Sequence, residues 1–199
     1  MKSETGGHIG CTQNATAGEE HRRGWHPERF SVAANAEKGV LVVGAGPAGM
    51  ECAVTLGRRG FEAVHLVEAS DEIGGRMRWV RRLPTLGDWG RIVDHRKVML
   101  SKLRNVEVVT GRPMSAEDVR DYGAQIVIVA TGSRWSGDGL QSSTHEPIDG
   151  ASASLPHVLT PEQVMDGKRA AGRRVVVYDA EGYFVGPGIA ELLAGDGFD

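Results

Sequence analysis

The first 37 residues are polar and irregular, with no sustained spacing of apolar positions. The texture changes at Gly39-Val40-Leu41-Val42-Val43, a short β-branched run of the kind that fills a buried parallel strand. Residues 47–58 have helical character, broken at Gly57 and closed by Gly60. Residues 61–67 then read as a second strand. Strand, helix and strand thus fall within about 30 residues, the size of a βαβ unit. A helical stretch follows around 89–104, then a strand at 106–109, a short helix near 115–121 and a strand at 125–130. Residues 132–160 are rich in Ser, Gly, Pro and Asp and read as a long connection.

The pattern then resumes. Thr160-Pro161-Glu162-Gln163 opens a short helix, with Thr160 as N-cap, Pro161 at the first helical position and Gln163 completing a capping box. Residues 173–178 read as another buried strand, which leads into Gly186-Pro187-Gly188 and a helix. A second α/β unit that stops after one strand and one helix predicts a truncated domain. The expected fold class is α/β: a three-layer Rossmann-like (FAD/NAD(P)-binding) domain at 38–160, a lead-in at 1–37, and the start of a second dinucleotide-type domain at 161–199.

Composition changes this picture in one respect. Glycine supplies 28 of 199 residues, about twice the ordinary usage of roughly 7%, and without a Gly-X-Y period these glycines mark turns and close backbone approaches. Apolar residues at 40% and charged residues at 25% support a packed core. The net charge of −3 argues against a general nucleic-acid binder. No stretch approaches 18 apolar residues and the first 30 carry no signal-peptide core, so no membrane partner is expected and the chain reads as cytoplasmic. Two cysteines, Cys11 and Cys52, do not make a disulfide scaffold.

The chemistry begins at Gly44-Ala45-Gly46-Pro47-Ala48-Gly49, a G-x-G-x-x-G between a predicted strand and a predicted helix. The first glycine permits the tight turn, the second lets a pyrophosphate approach the backbone, and the third lets helix pack on strand. The helix N-terminus adds free N–H groups and a positive dipole end. Glu68 lies 19 residues after Gly49, at the end of the second strand, where a carboxylate can accept hydrogen bonds from a ribose diol. An acid there disfavours a 2′-phosphate, so the ADP moiety of FAD, NAD or free ADP fits better than NADP.

Residues 73–104 carry nine Lys/Arg against Asp88 and Asp94. Most read as a solvated face, with Arg76 the candidate phosphate contact and the remainder available to an acidic partner. The histidines show no metal-ligand pairing, and no serine or cysteine nucleophile constellation is visible. No catalytic residue is therefore assigned. Cys52, three residues past Gly49, reads as a small buried apolar residue. The second loop, Asp179 to Gly188, lacks a G-x-G-x-x-G directly after its strand, which speaks against a working NAD(P)H site.

Two more motifs carry a resemblance. Gly74-Gly75-Arg76 and the strand ending Ala130-Thr131-Gly132 resemble two-dinucleotide-domain flavoproteins, in which such turns lie beside the nucleotide. The segment from Cys11 to Glu20, continuing through Arg22-Arg23-Gly24-Trp25-His26-Pro27-Glu28, resembles the stretch after the iron–sulfur site in the trimethylamine dehydrogenase family, which includes dimethylamine and histamine dehydrogenases. It is more distantly similar to 2,4-dienoyl-CoA reductase. The resemblance runs on through the phosphate loop, residues 160–167 and the final strand.

The resemblance implies a parent with an FMN-bearing barrel that oxidises a small amine, a 4Fe–4S cluster, and two dinucleotide-type domains. Cys11 matches the fourth cluster ligand; the other three belong to a cysteine run that this sequence lacks. By the same resemblance ADP or FAD binds at Gly44, Gly46, Pro47, Ala48, Gly49 and Glu68, with Gly75, Arg76, Thr131 and Gly132 lining it. The implied partners are the barrel, in the same polypeptide or a separate subunit, and an electron-transfer flavoprotein. The chain alone is then expected to be inactive toward amines. Two other readings stay open: part of an FAD/NAD(P)H reductase, and a purely structural nucleotide-holding docking module.

Overall fold

A computed structural model of the chain describes residues 10–25, 28–141 and 143–199; His26 and Pro27 of the lead-in lie outside them. Four strands, β1 (Val40–Val43), β2 (Val64–Val67), β3 (Val106–Val109) and β4 (Ile126–Val129), form one parallel sheet in the order β3-β2-β1-β4. The β-branched run at 40–43 takes an inner position, with Val40 opposite both Val64 and Ile126. Hydrogen-bonded on both edges, it buries three of its four residues, as the other inner strand β2 does and as a continuous apolar run requires.

The helices are α1 (Glu20–Arg23), α2 (Pro47–Arg58), α3 (Met77–Val80), α4 (Arg91–Ser101), α5 (Ala116–Asp121), α6 (Pro161–Met165) and α7 (Val185–Gly195). A 3-10 turn at Gly87–Gly90 precedes α4, so the stretch expected as one helix over 89–104 is two elements. Alternate strand residues Val40, Val42, Val64 and Leu66 face α2 and α4 and form the core with Met50, Ala53, Val54, Val93 and Leu100. The buried positions of α2 are Gly49, Met50, Ala53, Val54 and Gly57, one face at helical spacing. On the opposite face of the sheet, His65 meets the ring of Tyr122 edge-on just after α5.

Gly57 does not break its helix. The helix runs through it to Arg58, and a Cβ at this position would come 2.6 Å from Val106 Cγ2 and 2.9 Å from Leu103 Cδ1. The glycine is there to let α2 lie close against the chain entering β3. Its entropic cost, about 1 kcal/mol relative to alanine, is offset by packing that a methyl group would prevent.

One charge is buried in the α2–α4 contact. Arg96 is 5% exposed; its Nη2 pairs with Glu51 Oε2 at 2.7 Å and its Nη1 donates to the Ile92 carbonyl. Removing one partner of such a pair strands the other charge. Arg96→Met keeps the apolar stem but leaves Glu51 unpaired, and is expected to cost about 2 kcal/mol, discounted because Glu51 remains partly solvated. Glu51→Gln should cost more, since it leaves the guanidinium buried. Urea unfolding of the two variants checks the order, and equal losses would contradict it.

The chain divides into two units. One comprises the described residues up to Met77 with Arg91–Gly132, and holds the sheet; the other comprises Arg78–Gly90 with Ser133–Asp199. The second unit has its own core, in which Leu83, Val164, Met165, Val185, Ile189 and Leu193 pack together. Its helix α6 begins with the capping box read from the sequence: the Thr160 amide donates to Gln163 Oε1, and the Gln163 amide donates to Thr160 Oγ1.

The strand expected at 173–178 is not a buried strand. Val176 is 91% and Tyr178 61% exposed, and the run has no ladder. Its one strand-like rung is with Asp199, through Val175 N–H to the Asp199 carbonyl and Asp199 N–H to the Arg173 carbonyl. Among the described residues no helix is long and apolar enough to cross a membrane.

Candidate nucleotide-binding site

The glycine loop sits where β1 ends and α2 begins, and its backbone dictates its residue types. Gly44 has φ +99°, and a Cβ there would lie 2.5 Å from the Ala130 carbonyl oxygen. A Cβ on Gly49 would run into the Gly44 carbonyl oxygen. The first and third glycines are therefore demanded by the fold itself. Gly46 differs: its φ is −72°, and the nearest atom to an added Cβ is Gly75 Cα, 3.9 Å away. Nothing in the fold needs glycine there, so the open space in front of it suits an incoming ligand.

Gly46 is also the N-cap of α2 and supplies no side-chain acceptor; Pro47 at the first helical position has no N–H to satisfy. The amides of Ala48 and Gly49, which follow it, receive no side-chain cap from Gly46 and stand at the positive end of a 12-residue helix, an arrangement that attracts an anion.

The companion motifs converge on this loop. Glu68 Oε2 accepts from the Ala45 amide at 2.8 Å and Oε1 from the Ser70 amide at 2.9 Å. A carboxylate has about four acceptor positions, so two amide bonds orient Glu68 and leave capacity for a diol. The glycine doublet lies across the loop: Gly74 donates to the Ala45 carbonyl at 2.8 Å. Gly75 has φ +52°, and a Cβ there would come 2.9 Å from Gly46 Cα. On the other side the Ala130–Thr131 backbone closes on Gly44. Gly132 is exposed with φ +76°. Arg76 follows the doublet and is half-buried.

Sequence reasoning missed the Ala45 and Ser70 amides that hold Glu68. Backbone donors carry no residue-type signal, and only the proximity of β1 and β2 creates them. Two cavities lie elsewhere. One of about 450 Å³ is bounded by Asn14, Thr16, Glu51, Arg58, His95 and Arg96 among others, and one of about 160 Å³ lies beside His65 and Tyr122.

Cys11 is exposed, and the amides of Asn14 and Gln13 hold its thiol below the ordinary range. Among the described residues no group of three His, Cys, Asp or Glu could hold a metal ion. Cys11 therefore offers one of the four thiolates that a 4Fe–4S cluster takes, and the described residues do not fit a whole cluster by themselves. Cys52 is half-buried; burial and then the Glu51 charge push its thiol up. Thiolate, not thiol, is alkylated. Iodoacetamide labelling followed by mass spectrometry should reach its half-maximal rate at lower pH for Cys11 than for Cys52, and the reverse order would contradict these environments.

Residues 42–98 match the family model of the NAD(P)-binding Rossmann-like domain, and residues 159–199 match that of the OYE-like second alpha/beta domain. Over 194 residues, 95% of the chain, it is 50% identical to dimethylamine dehydrogenase from Hyphomicrobium sp. (strain x). The chain is similar to one part of the amine dehydrogenases. Two solved structures agree with that placement. The 6-hydroxypseudooxynicotine amine oxidase from Pseudomonas geniculata N1 superposes with a TM-score of 0.88 at 46% identity, covering 98% of this chain and 29% of that one. Histamine dehydrogenase from Rhizobium sp. 4-9 does so at 0.84 and 41%, covering 95% of this chain and 29% of that one. The chain spans about a quarter of the length of the curated amine dehydrogenase relatives it matches.

Proposed function

We propose that this chain is the adenine-nucleotide-holding part of an amine dehydrogenase. Gly44, Gly46, Pro47, Ala48 and Gly49 take the pyrophosphate of ADP or FAD, and Glu68 takes the ribose diol. Gly75, Arg76, Thr131 and Gly132 line the bound molecule. The observation that carries this reading is the convergence of three separate sequence motifs on the Gly44–Gly46 loop, with open space left at Gly46. These residues bind and orient; none transfers a proton or forms a bond. We assign 1–37 to a lead-in, 38–160 to the nucleotide domain and 161–199 to a second dinucleotide-type domain.

In the whole protein, FMN and a 4Fe–4S cluster would supply amine oxidation and electron relay. Cys11 would give the cluster one ligand, with the others coming from outside this sequence. The partners are then the barrel that carries FMN and a protein acceptor such as an electron-transfer flavoprotein. This chain by itself carries no amine-oxidising activity.

The absorption spectrum of the purified chain, with chromatography of the nucleotide that heat releases, tests the reading. Colourless protein releasing ADP supports it. Flavin bands with released FAD would move the chain to the reductase class, and protein without any nucleotide would remove the binding role.

A further inference from the structure

The chain contains a second turn of the same order, extended run, loop, then helix, and there a carboxylate takes up the loop amides and the space beside the helix start. Asp179 directly follows the 173–178 run, as Gly44 directly follows β1. Its Oδ1 accepts from the Glu181 amide at 3.0 Å and the Gly182 amide at 3.1 Å. The rest of the carboxylate lies against the first turn of α7: a Cβ on Gly186 would come 2.6 Å from both Asp179 Cγ and Oδ2. Thus the turn amides are occupied and the space beside the helix start is taken. In the first unit the equivalent position is a glycine with no side chain to offer.

Charge points the same way. Residues 175–199 contain Asp179, Glu181, Glu191, Asp196 and Asp199, and no Lys, Arg or His. A dinucleotide pyrophosphate brought to α7 would meet two carboxylates on the loop and no cation from this stretch. Desolvating like charges at such a site costs more than a helix dipole returns, since the dipole contributes only about 0.3–1 kcal/mol at exposed termini.

We propose that Asp179 is a specificity-determining residue that keeps adenine dinucleotides out of the second unit by seating its own carboxylate where their pyrophosphate would dock. The consequence, which rests on the amine dehydrogenase reading above, is that reducing equivalents do not exchange with a nicotinamide through this unit.

The test uses the 199-residue chain with NADH fluorescence as the probe. The first site is weakened by Gly46→Ala in every protein compared, so differences between them report on Asp179. In this background the chain carrying Asp179 should bind NADH only as weakly as the impaired first site allows. Asp179→Gly should bind it at least about tenfold more tightly than the parent. Asp179→Asn, which keeps an acceptor for the turn amides but removes the charge, should fall between them and guards against a misfolded glycine variant. Circular dichroism confirms that each variant is folded. No gain in either folded Asp179 variant would overturn the proposal. Failure of the wild-type chain to bind ADP would instead overturn the reading of the first site and leave this one standing.

Discussion

Alanine at Gly49 is expected to abolish nucleotide binding and to remove about 3 kcal/mol of stability. The new methyl group would collide with the Gly44 carbonyl oxygen, a backbone atom that cannot swing aside. Relief requires α2 to move away from the end of β1, and α2 carries Met50, Ala53 and Val54 of the core. The amides at the helix start move with it. Gly46→Ala makes the contrast, because its Cβ meets nothing closer than 3.9 Å. That variant should stay within about 1 kcal/mol of the parent, the scale of an N-cap change, while a methyl group in front of the loop weakens ADP binding at least about tenfold. Urea unfolding and calorimetric ADP titration of the two variants separate the roles. If Gly46→Ala bound ADP like the parent, the loop would not be the pyrophosphate site.

Glu68→Gln is expected to weaken ADP binding by about a hundredfold and to erase the preference for an intact ribose. Hydrogen bonds to a charged acceptor contribute about 1.5–3 kcal/mol each, and Glu68 is held by the Ala45 and Ser70 amides with acceptor capacity to spare. The amide of Gln can satisfy one of those N–H groups but presents its own N–H₂ to the other. The informative experiment is a double cycle with ADP and 2′,3′-dideoxy-ADP on both proteins. The wild type should discriminate strongly and the variant hardly at all. Equal discrimination by both would show that Glu68 serves only to brace the loop. A 2′-phosphorylated ADP should bind the wild type poorly, since it would place like charges together.

Much of the first unit was legible because its elements are short and punctuated by glycine. The run 40–43, the loop 44–49 and the helix behind it follow from local pattern alone. Residues 61–67 shorten to a strand at Val64–Val67, because Phe61 and Glu62 donate to the Leu56 and Ala36 carbonyls instead of to the ladder. Gly57 was misjudged as a helix breaker for a related reason. Intrinsic propensity counts its cost, while the compensating contact with Val106 comes from a strand nearly 50 residues later.

The amino-acid order by itself determined the phosphate loop, the acid that follows it and the βαβ order, since these depend on spacing within a few tens of residues. It also carried the resemblance to the amine dehydrogenases. The tertiary structure decided which glycines are required by the fold and which face a ligand, because that depends on what lies across the loop. Gly75 and Ala130 are close to it in space and far from it in sequence. It also decided that 173–178 is exposed despite its β-branched composition. Apolar alternation says which residues can fill a sheet, but a strand exists only where another chain segment offers hydrogen bonds, and in a parallel sheet that partner is not local.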